Sequence, residues 1–348
     1  MAAVQADVAK DGVAAPAADV PGLQKIVTEA NQKGIDEIRS MIAHFGLDVV
    51  QAYMRHVQDN AEEAVRRVID SLDDGAYRYE MDSGATITVR VTVDRTARSA
   101  TIDFDGTSPQ LATNFNAPSS VAIAAVLYVF RTLVADDIPI NDGCLRPLRI
   151  SIPDGTLLSP AYPAAVVAGN VETSQAITGA LLAALRVQAE GSGTMNNVTF
   201  GNAGHQYYET LGCGSGAGEG FDGASVVQTH MTNSRLTDPE VLEMRFPVLL
   251  REYAIRRGSG GSGRWRGGDG GIRKLEFLEP MTVSALTGHR RVAPYGMAGG
   301  QTGDLGRNRV ERADGSVTEL AGCDSTDLGP GDVLVIETPG GGGYGEPA

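Results

Sequence analysis

The chain has 348 residues, 42% of them hydrophobic, with 29 Lys+Arg against 43 Asp+Glu for a formal net charge of −14. That apolar share can fill a sizeable core and excludes wholesale disorder, while the acidic balance implies no phosphate-neutralising surface and argues against a nucleic-acid binder. Glycine, at 44 residues, is roughly twice its usual share, a bias towards tight turns and close backbone approaches rather than a helical bundle. At roughly 150 residues per domain the length suggests two or three units, or one large one. The longest apolar run, Val121 to Phe130, is stopped by Arg131 and falls short of the about 20 residues a bilayer span needs. The N-terminal stretch has scattered charges and no apolar h-region, unlike a signal peptide. Cys144, Cys213 and Cys323 are widely spaced and form neither a disulfide framework nor a CxxC pair, so the expected compartment is the reducing cytosol.

In chain order, residues 1–20, rich in Ala, Val and Asp, read as a disordered leader. A helical period follows: Leu23, Ile26 and Val27, then Ile35, Ile38 and Ile42, up to a break at Gly46. Asp48 with Gln51 resembles a capping box. The helix it opens carries Val50, Tyr53, Met54, Val57, Ala61, Ala64, Val65 and Val68 on one stripe. Two antiparallel helices are the simplest reading. The period then drops to two, with Ile87, Val89, Val91 and Val93 alternating with Thr86, Thr88, Arg90 and Thr92. After a turn at Asp94-Arg95-Thr96, Ala100, Ile102 and Phe104 continue the pattern, predicting a hairpin with one wet face. Val121–Leu133 and Gln175–Ala189 read as buried helices, and beyond Gly191 the sequence breaks into short strands and glycine loops. The fold class expected is α+β: a disordered leader, a helical lead-in over residues 21–75, and a β-rich, glycine-rich body with a few packed helices over 76–348.

Few motifs carry chemistry on their own. Gly258 to Gly263 fits G-x-G-x-x-G, but Arg264-Trp265-Arg266-Gly267-Gly268 follows instead of the helix whose N-terminus a dinucleotide needs. The glycines of residues 258–271, interleaved with Arg256, Arg257, Arg264, Arg266 and Arg273, form either an anion-binding loop or structural turns. No phosphate-cradling G-x-x-x-x-G-K-[ST] occurs. His44 and His56 fall in the helical lead-in, and His289, flanked by Arg290 and Arg291, reads as surface. His205 and His230 lie in polar, glycine-punctuated stretches where a neutral imidazole can ligate a metal or act as a base. No H-E-x-x-H is present. Thr237-Asp238-Pro239-Glu240 reads as a capping box, which explains Glu240 without chemistry. Glu172 follows an apolar strand-like segment and Gly169-Asn170 at a helix start, either a ligand-facing junction or a cap. Asn196 and Asn197 enter a strand as adjacent amides that either bind an oxyanion or close a turn.

Read together, AGNVETSQ, GTMNNVTFGN, YYET, HMTNSRLTDPEVLE, RRGSGGSGRWRGGDGG and TPGGGGYG resemble the hydantoinase B/oxoprolinase family. NQKGIDEI, GLDVVQAYM, DFDGTSP and IPINDGC extend the match, which runs in order from about Leu23 to Pro347 and is greatest with the C-terminal part of the ATP-hydrolysing 5-oxoprolinases. The resemblance implies opening of the 5-oxo-L-proline lactam to L-glutamate coupled to ATP hydrolysis. ATP would be bound by a hydantoinase A-type partner, in an oligomer. It leaves room for a divalent metal without identifying ligands. Full B-type domains carry an Asn-Asp-Pro-Tyr…Thr-His…Asp segment that this sequence lacks. The chain is therefore expected to be a fragment or one piece of a split enzyme, inactive in isolation. On this reading Glu172 and His230 are catalytic, Glu172 as an acid/base or water-orienting group. Asn196 and Asn197 are oxyanion or carboxylate donors, and Asn170, Tyr208, Glu209 and Asn233 bind substrate. The alternatives are a B-type subunit of an N-methylhydantoinase or ketone carboxylase, or a non-catalytic scaffold.

Overall fold

The computed structural model describes residues 20–191 and 193–347; the expected leader, apart from Val20, lies outside them. Two compact units part between Asn60 and Ala61. In the first, helix α1 (Val20–Phe45) ends where Gly46 takes φ +84° and its N–H bonds the Ile42 carbonyl, a left-handed stop open to glycine at little cost. Helix α2 (Leu47–Ser71) starts at once, with the Val50 N–H on the Gly46 carbonyl. Asp48 therefore sits inside the first turn, where its charge suits the helix dipole, and the expected capping box is not formed. Nor is the antiparallel pair: among the described residues of this unit the helices do not pack along one another. Val27, Ile35, Ile38, Met41, Tyr53 and Met54 are all exposed.

The second unit begins within α2, which buries Ala61, Ala64, Val65, Ile69 and Leu72 on one stripe. Strands β1 (Gly75–Glu80), β2 (Thr86–Asp94), β3 (Ser99–Asp103) and β4 (Leu148–Ser151) form a sheet in chain order, antiparallel except for the parallel β3–β4 pair. The period-two pattern is realised directly: Ile87, Val89 and Val91 are fully buried while Arg90 and Thr92 face solvent. Helix α3 (Ser119–Thr132) lies in the β3–β4 crossover and buries Ala122, Ala125, Val126, Val129 and Phe130. Helix α4 (Ser174–Leu185) is buried from Ser174 to Ala184 and packs on β1, β2 and α3, consistent with its apolar residues having no single face. It stops at Arg186, φ +57°, short of the expected Ala189.

Two further sheets complete the body. One has the order β12 (Cys323–Leu328), β9 (Met281–Leu286), β5 (Asn197–Gly201), β6 (Gln206–Thr210). The other runs β11 (Val317–Leu320), β10 (Arg307–Glu311), β13 (Val333–Glu337), β8 (Gly270–Phe277), β7 (Val248–Arg256). Phe200, Leu275, Phe277, Val283, Val310 and Leu334 form a second core there. Helix α5 (Pro239–Arg245) is capped by Asp238, which accepts the Glu240 and Val241 amides. The cap is thus one residue later than the Thr237 box predicted, and Glu240 lies within the first turn. The architecture is the α+β fold expected.

The glycine-rich stretches are structural. The Asp269 carboxylate accepts N–H bonds from Gly258 (3.1 Å), Gly260 (2.8 Å) and the Arg266 guanidinium (3.2 Å). The chain itself supplies the anion for its amide-lined loop, so the structural-turn reading holds. The 339–345 segment threads between neighbouring backbones. A Cβ on Gly341 would lie 2.0 Å from the Ser215 carbonyl oxygen, and the Gly341 N–H already bonds Gly268 at 2.9 Å. Gly341→Ala must therefore push backbone against backbone. A loss of about 3 kcal/mol or more is expected by denaturant titration; a loss below about 1 kcal/mol would show the crossing to be slack.

Candidate active site

Glu172 lies in a widened helical turn, Gly169–Thr173, that leads into α4. The Ala168 carbonyl there accepts N–H bonds from Glu172 at 2.9 Å and Thr173 at 3.2 Å. Such bulges occur often at functional sites because they re-aim side chains without ending the helix. The turn packs tightly: a Cβ on Gly169 would meet the Asn116 carbonyl oxygen at 2.4 Å. Asn116, fully buried, pins the approach by accepting the Leu111 N–H and donating to the Leu111, Thr113 and Ala165 carbonyls.

The Glu172 carboxyl is 2% exposed. Its Oε1 accepts the Met195 N–H (3.0 Å) and the Asn197 side-chain amide (2.7 Å). Burial pushes its pKa up to about 7, against the opposing pull of the Met195 N–H, the Thr194 hydroxyl and the positive charges of Arg290 and His289. A carboxyl poised there can both take and return a proton at neutral pH. Asn197 is held in turn by the Tyr208 hydroxyl, donating to its Oδ1 at 2.7 Å, and by the Leu286 carbonyl at 2.8 Å.

Beside Glu172 stands Arg290, whose Nη1 donates to Asn196 Oδ1 (2.7 Å) and the Gly288 carbonyl (2.6 Å). Its Nε and Nη2 share Asn308 Oδ1 at 3.2 and 2.7 Å. Burial lowers its pKa to about 10, with the nearby Glu172 charge acting the other way. The loop that presents it is fixed by Asp82, whose carboxylate accepts the backbone N–H groups of Arg290, Arg291 and Val292.

His289, read from sequence as surface, is 4% exposed. The φ of +56° at His289 turns the ring inward. Its Nδ1 lies 2.7 Å from the Val292 carbonyl and its Nε2 3.2 Å from the Glu190 carboxylate and 3.1 Å from the Tyr79 hydroxyl. Burial alone would depress its pKa, but the charge and hydrogen bond of Glu190 more than offset this and raise it to about 9. The Tyr79 hydroxyl also donates to Glu190, and burial beside that charge holds the phenol well above its ordinary pKa.

These groups surround a cavity of about 310 Å³ lined by Glu172, Tyr79, Asp82, His289, Arg290 and Cys323, among others. Of the sequence candidates Glu172 lines it, while Asn197, held by Tyr208, reaches the Glu172 carboxyl from behind and Asn196 accepts from Arg290. The Asn197 amide donates to Glu172 and the Leu286 carbonyl, and the Asn196 amide donates to the Leu211 carbonyl, so these side chains orient Glu172 and Arg290. Asn170 and Asn233 are exposed. Glu209, on the opposite face of β6 from Tyr208, is buried against Arg273 at 2.8 and 2.9 Å. His230 does not line the cavity. It is half-buried, 3.3 Å from the Tyr128 hydroxyl, with burial lowering its pKa to about 4. His205 stands against Phe246, also outside the cavity. Tyr79, Glu190, His289, Arg290 and Asp82 had no distinguishing sequence signal beyond the small residues around them. Gly193 is one such signal: a Cβ there would sit 2.1 Å from His289 Nε2.

The model of the hydantoinase B/oxoprolinase family matches residues 25–347. The chain belongs to this family. A second model, described as membrane protein Rv1476, matches residues 1–43, and no helix among the described residues is long and apolar enough to cross a membrane. The family member is 45% identical to 5-oxoprolinase 1 of Arabidopsis thaliana over 91% of its own length and 26% of that protein's. It thus spans about a quarter of the curated relative. Its fold is shared with the ATP-dependent caprolactamase of Pseudomonas jessenii (TM-score 0.78, 24% identity, 90% of this chain and 59% of that one). Acetone carboxylase shares it as well (TM-score 0.79, 16% identity, 89% and 50%). Among the described residues no group of three or more His, Cys, Asp or Glu side chains is placed to hold a metal ion. The described part of this hydantoinase B/oxoprolinase chain therefore supplies no ligand set for the divalent metal that the resemblance allows.

Proposed function

We propose that the chain is the water-handling part of a 5-oxoprolinase, opening the 5-oxo-L-proline lactam to L-glutamate together with an ATP-binding hydantoinase A-type partner. The observation that carries this reading is Glu172, a buried carboxyl with pKa about 7 on the wall of a cavity of about 310 Å³, in a chain 45% identical to a 5-oxoprolinase. A five-membered lactam is little strained and its amide is resonance-stabilised, so water attacks it slowly. ATP supplies a phosphoryl group to the amide oxygen, and the ring carbon becomes electrophilic. Water then adds to that carbon as Glu172 takes its proton. The protonated carboxyl returns the proton to the ring nitrogen as the C–N bond breaks, leaving an acyl phosphate. A second water converts this to the carboxylate and inorganic phosphate. Asn197 and Met195 hold Glu172 Oε1 in place throughout, and His230, neutral at pH 7, stands away from the reacting atoms.

The test is reconstitution. With the A-type partner and the remaining B-type sequence supplied, 5-oxo-L-proline should yield glutamate and ADP together, while the isolated chain yields neither. Turnover by the isolated chain would overturn the division of labour. ADP release driven by N-methylhydantoin, or by acetone with bicarbonate, in place of 5-oxo-L-proline would overturn the substrate assignment.

A further inference from the structure

Arg290, half-buried, lacks the carboxylate partner that three other arginines of this body have. Arg273 meets Glu209, Arg309 meets Glu337, and Arg312 meets Asp332 at 2.9 Å. Arg290 instead donates four hydrogen bonds to neutral oxygens, those of Asn196, Gly288 and Asn308. Among the described residues no carboxylate lies within ion-pair distance of its guanidinium, and one Nη2 hydrogen has no acceptor. Asp82, its close acidic neighbour, is already occupied by three backbone amides. Neutral partners orient a guanidinium without cancelling its charge, and a charge out of water is costly until an opposite one arrives. Gly306 abuts the guanidinium on one side, where a Cβ would lie only 2.7 Å from Cζ. It lines the same cavity as Glu172.

We propose that Arg290 is the anion subsite of this cavity, taking a carboxylate or phosphoryl oxygen of the bound molecule as its missing counter-ion. This rests on the reading of the cavity as a substrate site and deepens it. A lactam that carries a carboxylate is held by its charge at Arg290, with Glu172 as the acid/base beside it, whereas an uncharged lactam has no such anchor. Asn196 and Asn308 are then positioning residues that aim the guanidinium. The same cation can receive the phosphoryl group of an activated lactam, and the two sources are separable by experiment.

Titration calorimetry on the full chain with 5-oxo-L-proline, its uncharged parent 2-pyrrolidone, and inorganic phosphate provides the test. The expectation is that 5-oxo-L-proline binds about tenfold or more tightly than 2-pyrrolidone. Arg290→Gln should bring the two within about twofold, and Arg290→Lys, which keeps the charge but not the fork, should retain part of the preference. Phosphate binding that depends on Arg290, with no preference for the carboxylate, assigns the subsite to a phosphoryl group. If neither anion outbinds 2-pyrrolidone on the wild-type chain, the proposal is wrong, whether or not the variants fold. A preference that survives intact in folded Arg290→Gln overturns it equally. Failure of ATP-dependent glutamate release in the reconstituted enzyme would sink the functional reading and leave an anion preference at Arg290 standing.

Discussion

Replacing Glu172 with Gln in the reconstituted enzyme is expected to lower kcat for glutamate release by about 10²–10⁴, the usual contribution of a positioned acid/base group. The fold should persist, because the amide oxygen of Gln can still accept the Met195 N–H and the Asn197 amide that Oε1 accepts at 3.0 and 2.7 Å. What is lost is a group that can gain and lose a proton near pH 7. Wild-type kcat/KM should rise with pH through about 7 as the carboxyl ionises, and that limb should vanish in the variant. Stability gives an independent check. The Glu172 pKa is raised from 4.5 to about 7 on folding, so the folded chain holds a proton that the unfolded chain has released across that interval. The contribution of this group is full below 4.5 and is lost as pH rises through about 7. Glu172→Gln removes the loss, so the variant should gain on the wild type in melting temperature between about pH 5 and pH 8. Unchanged turnover would remove Glu172 from the mechanism, and an unchanged melting difference would show that its carboxyl is not held protonated.

Glu190→Gln should produce a large loss of stability in the body. Its carboxylate faces the His289 ring and receives the Tyr79 hydroxyl, with all three side chains buried. The Tyr295 backbone N–H reaches its second oxygen at 3.3 Å. Removing one partner of such a pair leaves a buried charge uncompensated and costs about 3–5 kcal/mol. The pH dependence has the sign set by the imidazole. His289 is raised from 6.5 to about 9 on folding, so its contribution is full below 6.5 and is lost as pH rises through about 9. The gap in unfolding free energy between wild type and variant should be wide at about pH 6 and narrow towards pH 9 and above. A gap that does not change with pH would mean that His289 is neutral in the folded chain.

The sequence disclosed periodic elements and concealed pairings. The alternation of Ile87, Val89 and Val91 and the apolar run of α3 are local, and both elements form, although α3 buries one face where a wholly buried helix was expected. Glu172 was visible as an acid at a helix start after an apolar run, where a cap and a ligand-facing junction look alike, and the structure places it on the cavity wall. His289 was misread because its own neighbours, Arg290 and Arg291, suggest water, while the residues that bury it, Tyr79 and Glu190, lie far away in sequence. The glycine loop of residues 258–271 was ambiguous for a related reason. Nothing local shows that Asp269 will turn back to fill it. The antiparallel helix pair failed because an apolar stripe on α1 specifies that something should cover it, not what.

Tyr79, Glu190 and His289 enter the same contact from strand β1, the segment after α4 and the loop after β9. Closing those long loops is entropically slow and yields nothing until each partner is in place. The hollow beside Glu172 is therefore expected to form late in folding. Loss of ligand binding at this hollow on heating should then coincide with melting of the body rather than precede it.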